Sequence, residues 1–81
     1  MIAREETLRD LMRRSQNGEK QAYAVLLEQC GLWLRRYYAQ KIAPDAVDDL
    51  VQETLISLHN KRASYDATRP FLPWLAAIAR Y

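Results

Sequence analysis

The amino-acid sequence predicts an all-α fold, a compact bundle of about four helices. Three observations lead there: apolar residues recur at spacings of three and four along nearly the whole chain, no stretch alternates long enough to make a convincing strand, and Gly, Asn and Pro punctuate the helical runs. At 81 residues one domain is expected. A domain of this size buries only roughly 60 to 65% of the surface its unfolded chain exposes, so its stability should be modest and a large buried active site is not expected.

In residues 7–15, Leu8, Leu11 and Met12 share one face while Arg9, Asp10, Arg13 and Arg14 take the other, and Asn17-Gly18 stops the helix. Residues 19–42 form a longer helix. Tyr23, Leu26, Leu27, Cys30, Trp33, Leu34, Tyr37, Tyr38 and Ile42 make an apolar stripe wide enough to meet more than one neighbour. Gly31 inside it costs about 1 kcal/mol relative to Ala, which so long a stripe absorbs. Pro44 ends the segment by removing a backbone donor and pushing Ala43 out of the helical region. Asp45 is a good N-cap for a third helix over 46–59, with Val47, Leu50, Val51, Leu55 and Leu58 facing inward. Asp49, Gln52, Glu53 and Ile56, at i, i+3, i+4 and i+7, share another strip of that helix. Residues 60–69 lack helical periodicity and read as a basic, polar loop around Tyr65. A last helix begins at Pro70, with Phe71, Trp74, Leu75 and Ile78 as its apolar face, and Pro73 is tolerated because it falls in the first turn. The helical pattern is still running at Tyr81, which predicts that the chain is one domain of something longer.

The formal net charge of +2 conceals a segregated distribution. Residues 1–42 carry eight basic and five acidic side chains, whereas 43–60 carry Asp45, Asp48, Asp49 and Glu53 with no Lys or Arg. Residues 61–81 carry Lys61, Arg62, Arg69 and Arg80 against Asp66 alone. An acidic middle beside a basic end predicts two surfaces for two kinds of partner, chance clustering being the bland alternative.

Enzymatic chemistry has no support. The sequence holds no Gly-rich phosphate loop, no nucleophilic triad of recognisable spacing and no calcium loop, so no catalytic residue, metal site or cofactor is expected. His59 has no partner evident in sequence and reads as a helix-end residue favoured by the dipole. Cys30 lies on the apolar stripe, reads as a small buried hydrophobe, and with one Cys and one His there is neither a disulfide nor a zinc site. The charged amino terminus and the lack of a long apolar run disfavour targeting and membrane insertion, and a reducing, cytoplasmic setting is expected.

Asp48, Asp49 and Glu53 fit a metal cluster, a solvated flank or a docking strip. Metal is weakest, since hard cations want about six oxygens from several directions. A solvated flank is the usual case, but the absence of Lys or Arg across the helix, beside Gln52 and Ile56, suits docking on a basic protein surface. The loop and last helix combine Lys61, Arg62 and Arg69 with Tyr65, Phe71 and Trp74. Cations interleaved with aromatic rings are the chemistry of single-stranded nucleic acid. The spacing of three between Phe71 and Trp74 favours the core for both over base contact, and Tyr65 in the loop is the better stacking candidate. So few cations release only about three or four counterions, so this segment alone should bind DNA weakly and lose binding in salt.

The run D-A-V-D-D-L-V-Q-E-T at 45–54, then the basic loop, then R-P-F-L-P-W-L-A-A-I-A-R at 69–80, resembles region 2 of bacterial sigma factors of the extracytoplasmic-function (ECF) class. The D-L-V-Q-E and P-F-x-x-W-L-x-x-I-A-R cores are each moderately specific, and their order and separation strengthen the match. The resemblance implies a transcription initiation domain that docks on the β′ clamp helices of core RNA polymerase. Asp49, Gln52 and Glu53, flanked by Asp48 and Ile56, would carry that docking. It further implies that Asn60, Lys61, Arg62, Ser64, Tyr65, Arg69 and Trp74, in the loop and last helix, recognise and open the promoter minus-ten element and hold a flipped-out base of the non-template strand. A monomer in the bacterial cytoplasm, controlled by an anti-sigma factor, is the expected state. Tyr81 stands where the family usually has Asn, Pro73 is unusual, and the family's second domain, which reads the minus-thirty-five element, has no counterpart here. The competing reading is a sigma-like decoy or helical interaction module that binds an anti-sigma factor without contacting DNA. A decoy has no reason to retain the D-x-x-Q-E strip and the basic loop, and this chain has both.

Overall fold

The computed structural model describes residues 2–79, so Arg80 and Tyr81 lie outside the described residues. It is all-α: α1 (Glu5–Gln16), α2 (Lys20–Ala39), α3 (Pro44–Lys61), a 3₁₀ turn (Arg62–Ser64) and α4 (Phe71–Ala79). α1 and α3 each pack against both α2 and α4, closing the bundle around one core. The helical spacing accounts for that core. Ala22, Leu26, Cys30, Leu34 and Tyr38 of α2 are buried at strict intervals of four, opposite Leu8, Leu11 and Met12 of α1, Val47, Val51 and Leu58 of α3, and Phe71, Leu75 and Ala79 of α4.

Helix ends follow local chemistry, with three corrections to the sequence reading. α1 stops as expected: Asn17 is its C-cap, and Gly18 takes the left-handed φ of +90° that a side chain would resist. α2 ends at Ala39 rather than Ile42, because the amides of Lys41 and Ile42 both turn back to the Tyr38 carbonyl, and Ile42 packs against the core from the turn. Asp45 is not the N-cap of α3. The extended Ala43 (ψ 142°) holds that position, and Pro44 opens the helix, where its missing N–H and fixed φ are no penalty. Asp45 sits in the first turn, favoured there by the positive end of the helix dipole. Residues 60–69 are not a uniform loop either: Asn60 and Lys61 complete α3, and the 3₁₀ turn follows directly.

One polar group crosses the core. Tyr38 Oη donates to the Ala79 carbonyl of α4 at 3.2 Å and lies 2.6 Å from Thr54 Oγ1 of α3, which is itself 2.8 Å from the Leu50 carbonyl. These bonds join three helices without leaving a buried side-chain donor or acceptor unmet among the described residues. Gly31 is not required by close packing, since a Cβ there would meet only Leu55 Cδ1, at 3.9 Å.

Burial pushes the Cys30 thiol up from 9.0 to about 12. The folded state therefore retains the Cys30 proton while the unfolded chain loses it, so this stabilisation is intact below pH 9 and is lost as pH rises towards 12. Urea unfolding across that window should show wild type losing up to about 1.4 kcal/mol more per pH unit than Cys30→Ala.

Candidate functional site

Residues 62–70 cross from α3 to α4, and α1 sets their path. Gln16 Nε2 donates to the carbonyls of Arg62 (3.0 Å) and Tyr65 (2.8 Å), and Arg9 Nε donates to the Ala67 carbonyl (2.8 Å). Glu5 accepts the amides of Phe71 and Leu72, one on each carboxylate oxygen, both at 2.7 Å. The four amide positions from Pro70, just before α4, to Pro73 are thereby accounted for. Pro70 and Pro73 have no N–H, and Glu5 takes the two amides between them. Pro73, unusual in sequence, removes a donor that would otherwise lack a partner.

Within the connector, Ser64 Oγ donates to the Lys61 carbonyl (2.6 Å) and Arg62 Nη1 to the His59 carbonyl (2.5 Å). Asp66 Oδ1 accepts from both the amide (2.9 Å) and the hydroxyl (2.7 Å) of Thr68, and these bonds hold its carboxyl below the usual range. Arg69 Nε lies 3.8 Å from the other Asp66 oxygen, with its side chain largely in solvent.

Tyr65 corrects the sequence reading. Its ring is only 4% exposed, so it is not an open stacking platform. It packs edge-on against Phe71 (5.5 Å between centroids) and tilted against Trp74 (5.3 Å), and its hydroxyl donates to the Arg69 carbonyl. Burial also pushes its phenol upward. The connector has no apolar residue better able to anchor it, so the ring that looks free in sequence is its plug. Trp74 is half-buried against Tyr65 and Phe71, and its remaining surface lines an open cavity of about 710 Å³ with Ser64, Asp66 and Arg69. Asn60, Lys61 and Arg62 lie outside that cavity, exposed at the end of α3 and in the 3₁₀ turn.

Elsewhere on α3, Asp49, Gln52, Glu53 and Ile56 are all exposed, and Ile56 is 61% exposed. Asp49, Gln52 and Glu53 make no side-chain hydrogen bond or ion pair within the described residues. Asp48 differs: Arg35 of α2 pairs with its Oδ1. The acidic strip is thus not wholly uncompensated, because a cation invisible in the α3 sequence reaches it from the neighbouring helix. His59 also has a partner, Tyr23 of α2, at 2.6 Å.

The α1 residues that hold the connector, Glu5, Arg9 and Gln16, are not singled out by the sequence. Their spacing of four and seven puts them on one strip of α1, but nothing local says what that strip faces.

No helix among the described residues is long and apolar enough to cross a membrane, and no cluster of His, Cys, Asp and Glu among them could hold a metal ion. The sequence profile of sigma-70 region 2 matches residues 26–81. The chain is 41% identical over 83 residues to the ECF RNA polymerase sigma factor SigF of Caulobacter vibrioides (strain NA1000 / CB15N), covering all of this chain and 46% of that protein. The chain therefore spans just under half the length of this relative. No solved structure matches it significantly.

Glu5→Ala should strip both amides at the start of α4 of their acceptor and lower stability by about 1 to 2 kcal/mol in urea unfolding. Amide exchange of Phe71 and Leu72 should accelerate more than that of the α2 core, which reports where the loss falls.

Proposed function

Because the chain belongs to the sigma-70 region 2 family, in its ECF class, we propose that it is a transcription initiation domain that joins core RNA polymerase to the promoter minus-ten element. α3 docks on the clamp helices of β′, and the connector with α4 captures the non-template strand. The observation that carries this reading is the cavity walled by Trp74 and Arg69. An aromatic surface beside an exposed guanidinium offers an unstacked base a platform and its phosphate a counter-charge.

The mechanism requires no bond-breaking. Unpairing and unstacking a base costs a few kcal/mol, and stacking in the cavity, at about 1 to 3 kcal/mol per base, offsets it. Arg69 takes the phosphate nearest the captured base, and Lys61 and Arg62 attract the strand as it passes α3. Ser64 and Asp66, on the cavity wall, supply the hydrogen-bonding groups that distinguish one base edge from another. The rigid connector matters because a preorganised cavity loses little entropy when it fills. So few cations give weak affinity for DNA alone, and polymerase docking raises the effective concentration of promoter at the cavity.

Docking rests on Asp49, Gln52, Glu53 and Ile56. Their carboxylates lack internal partners, so pairing with a basic surface breaks no existing bond, and Ile56 gives the contact an apolar centre. Asp48 contributes with its Arg35 bond in place, which keeps α2 and α3 in register beneath the docked face. An anti-sigma factor covering this strip would block the same contact. The unpartnered strip and the preformed cavity together weigh against a decoy.

Glu53→Lys should reduce affinity for a β′ clamp fragment by at least about tenfold without altering the circular dichroism spectrum. Unchanged affinity would refute α3 docking. In the complex with core polymerase, Arg69→Ala and Trp74→Ala should each weaken binding of a single-stranded minus-ten oligonucleotide while clamp binding is retained. Loss of both activities together would indicate misfolding, which the spectrum would register.

A further inference from the structure

The base cavity is the first of three adjoining hollows. Tyr65 forms part of its wall and part of the wall of a second, of about 540 Å³, to which Gln16 and Arg62 also contribute. Ser15, Gly18 and Arg62 are shared in turn between the second and a third, of about 290 Å³, lined by Lys20, Tyr23 and His59. Gly18 lines both, in open space with nothing within 4 Å of where a Cβ would stand, and its φ of +90° disfavours a side chain there.

The chemistry of the third hollow is that of an anion site. Lys20 makes no ion pair within the described residues, and the Arg62 guanidinium lies 6.0 Å from the centroid of the Tyr23 ring. Glu19, the one acid in the wall, is taken by Arg14, whose Nε and Nη2 reach its carboxylate at 3.0 to 3.2 Å. Tyr23 Oη and His59 Nδ1 are 2.6 Å apart. If the phenol donates, the imidazole keeps an unused Nε2–H; if the imidazole donates, the phenol keeps an unused O–H. Either arrangement leaves one neutral donor beside two cations and a half-exposed aromatic ring.

We infer that this third hollow holds the sugar-phosphate backbone of the same single strand, at nucleotides adjoining the captured base, on the side of the connector away from α4. The inference rests on the base-capture reading above. Lys20 and Arg62 neutralise phosphate, the Tyr23–His59 pair donates one hydrogen bond to it, and the strand reaches the hollow past Tyr65 and over Arg62.

The test uses this chain bound to core polymerase, with three fluorescent non-template oligonucleotides: the minus-ten element alone, and the element extended on its 5′ or its 3′ side. One extended oligonucleotide should bind several-fold more tightly than the minimal one. Lys20→Ala and His59→Ala should each reduce that gain, and the double variant should abolish it, leaving minimal binding unchanged. Salt dependence on the extended strand should fall by roughly 0.7 in log-log slope for each phosphate that is no longer neutralised. Lys41→Ala, beyond the far end of α2 and about 30 Å away by helix rise, should change nothing. If both variants keep the full gain, or if neither extension adds affinity, the third hollow is not a strand site while base capture stands. If the minimal element binds no better than a scrambled sequence, base capture falls and the extended track falls with it.

Discussion

The Glu5 carboxylate holds the start of α4, and the geometry of the connector depends on that contact. α4 begins between two prolines that lack amide protons, leaving two amides in need of an acceptor, and a residue 66 positions away supplies both bonds. The same carboxylate lies in the first turn of α1, where the helix dipole also favours negative charge. Two helix N-termini thus converge on one side chain. With α4 placed, Arg9 and Gln16 pin the backbone between it and α3, so that α1 sets the shape of the connector.

Charge is segregated along the chain. Asp49 and Glu53 stand exposed along α3, and Arg62 and Arg69 stand exposed in the connector; under the proposed function the first set meets protein and the second nucleic acid. Such separation lets one small domain attract a basic protein surface and a polyanion without the two attractions cancelling. The near-neutral sum of +2 is the result of that division rather than a sign of an indifferent surface. Where opposite charges do pair, as at Arg35–Asp48 and Arg14–Glu19, the pairs are exposed and act to orient neighbouring segments more than to stabilise the fold.

Legibility in the sequence tracks periodicity. Spacing alone identifies Leu8, Leu11, Met12, Leu26, Cys30, Leu34, Tyr38, Val47, Val51, Leu58, Phe71 and Leu75 as inward-facing, and all are buried. The helix order and the exposed strip of Asp49, Gln52, Glu53 and Ile56 follow from the same rule. Errors collect where periodicity stops. Pro44 reads as a terminator yet is the first residue of α3, because a proline that cannot continue one helix is equally suited to begin the next. Tyr65 reads as exposed because a lone aromatic in a polar stretch carries no local sign of the Phe71 and Trp74 rings that enclose it.

From its residue order the chain specifies four helices, their buried faces, the exposed strip of α3 and the paired motifs that mark the family. All of these are encoded in intervals of three, four and seven residues, which a helix converts directly into position on a face. The tertiary fold alone settles the burial of Tyr65, the pairing of Arg35 with Asp48, the cavity beside Trp74 and the grip of α1 on the connector. The bonds forming that grip span 46 to 67 residues, and their donors and acceptors include backbone groups that every residue carries. No local pattern can single out such partners, because they are chosen by which helices come to lie side by side.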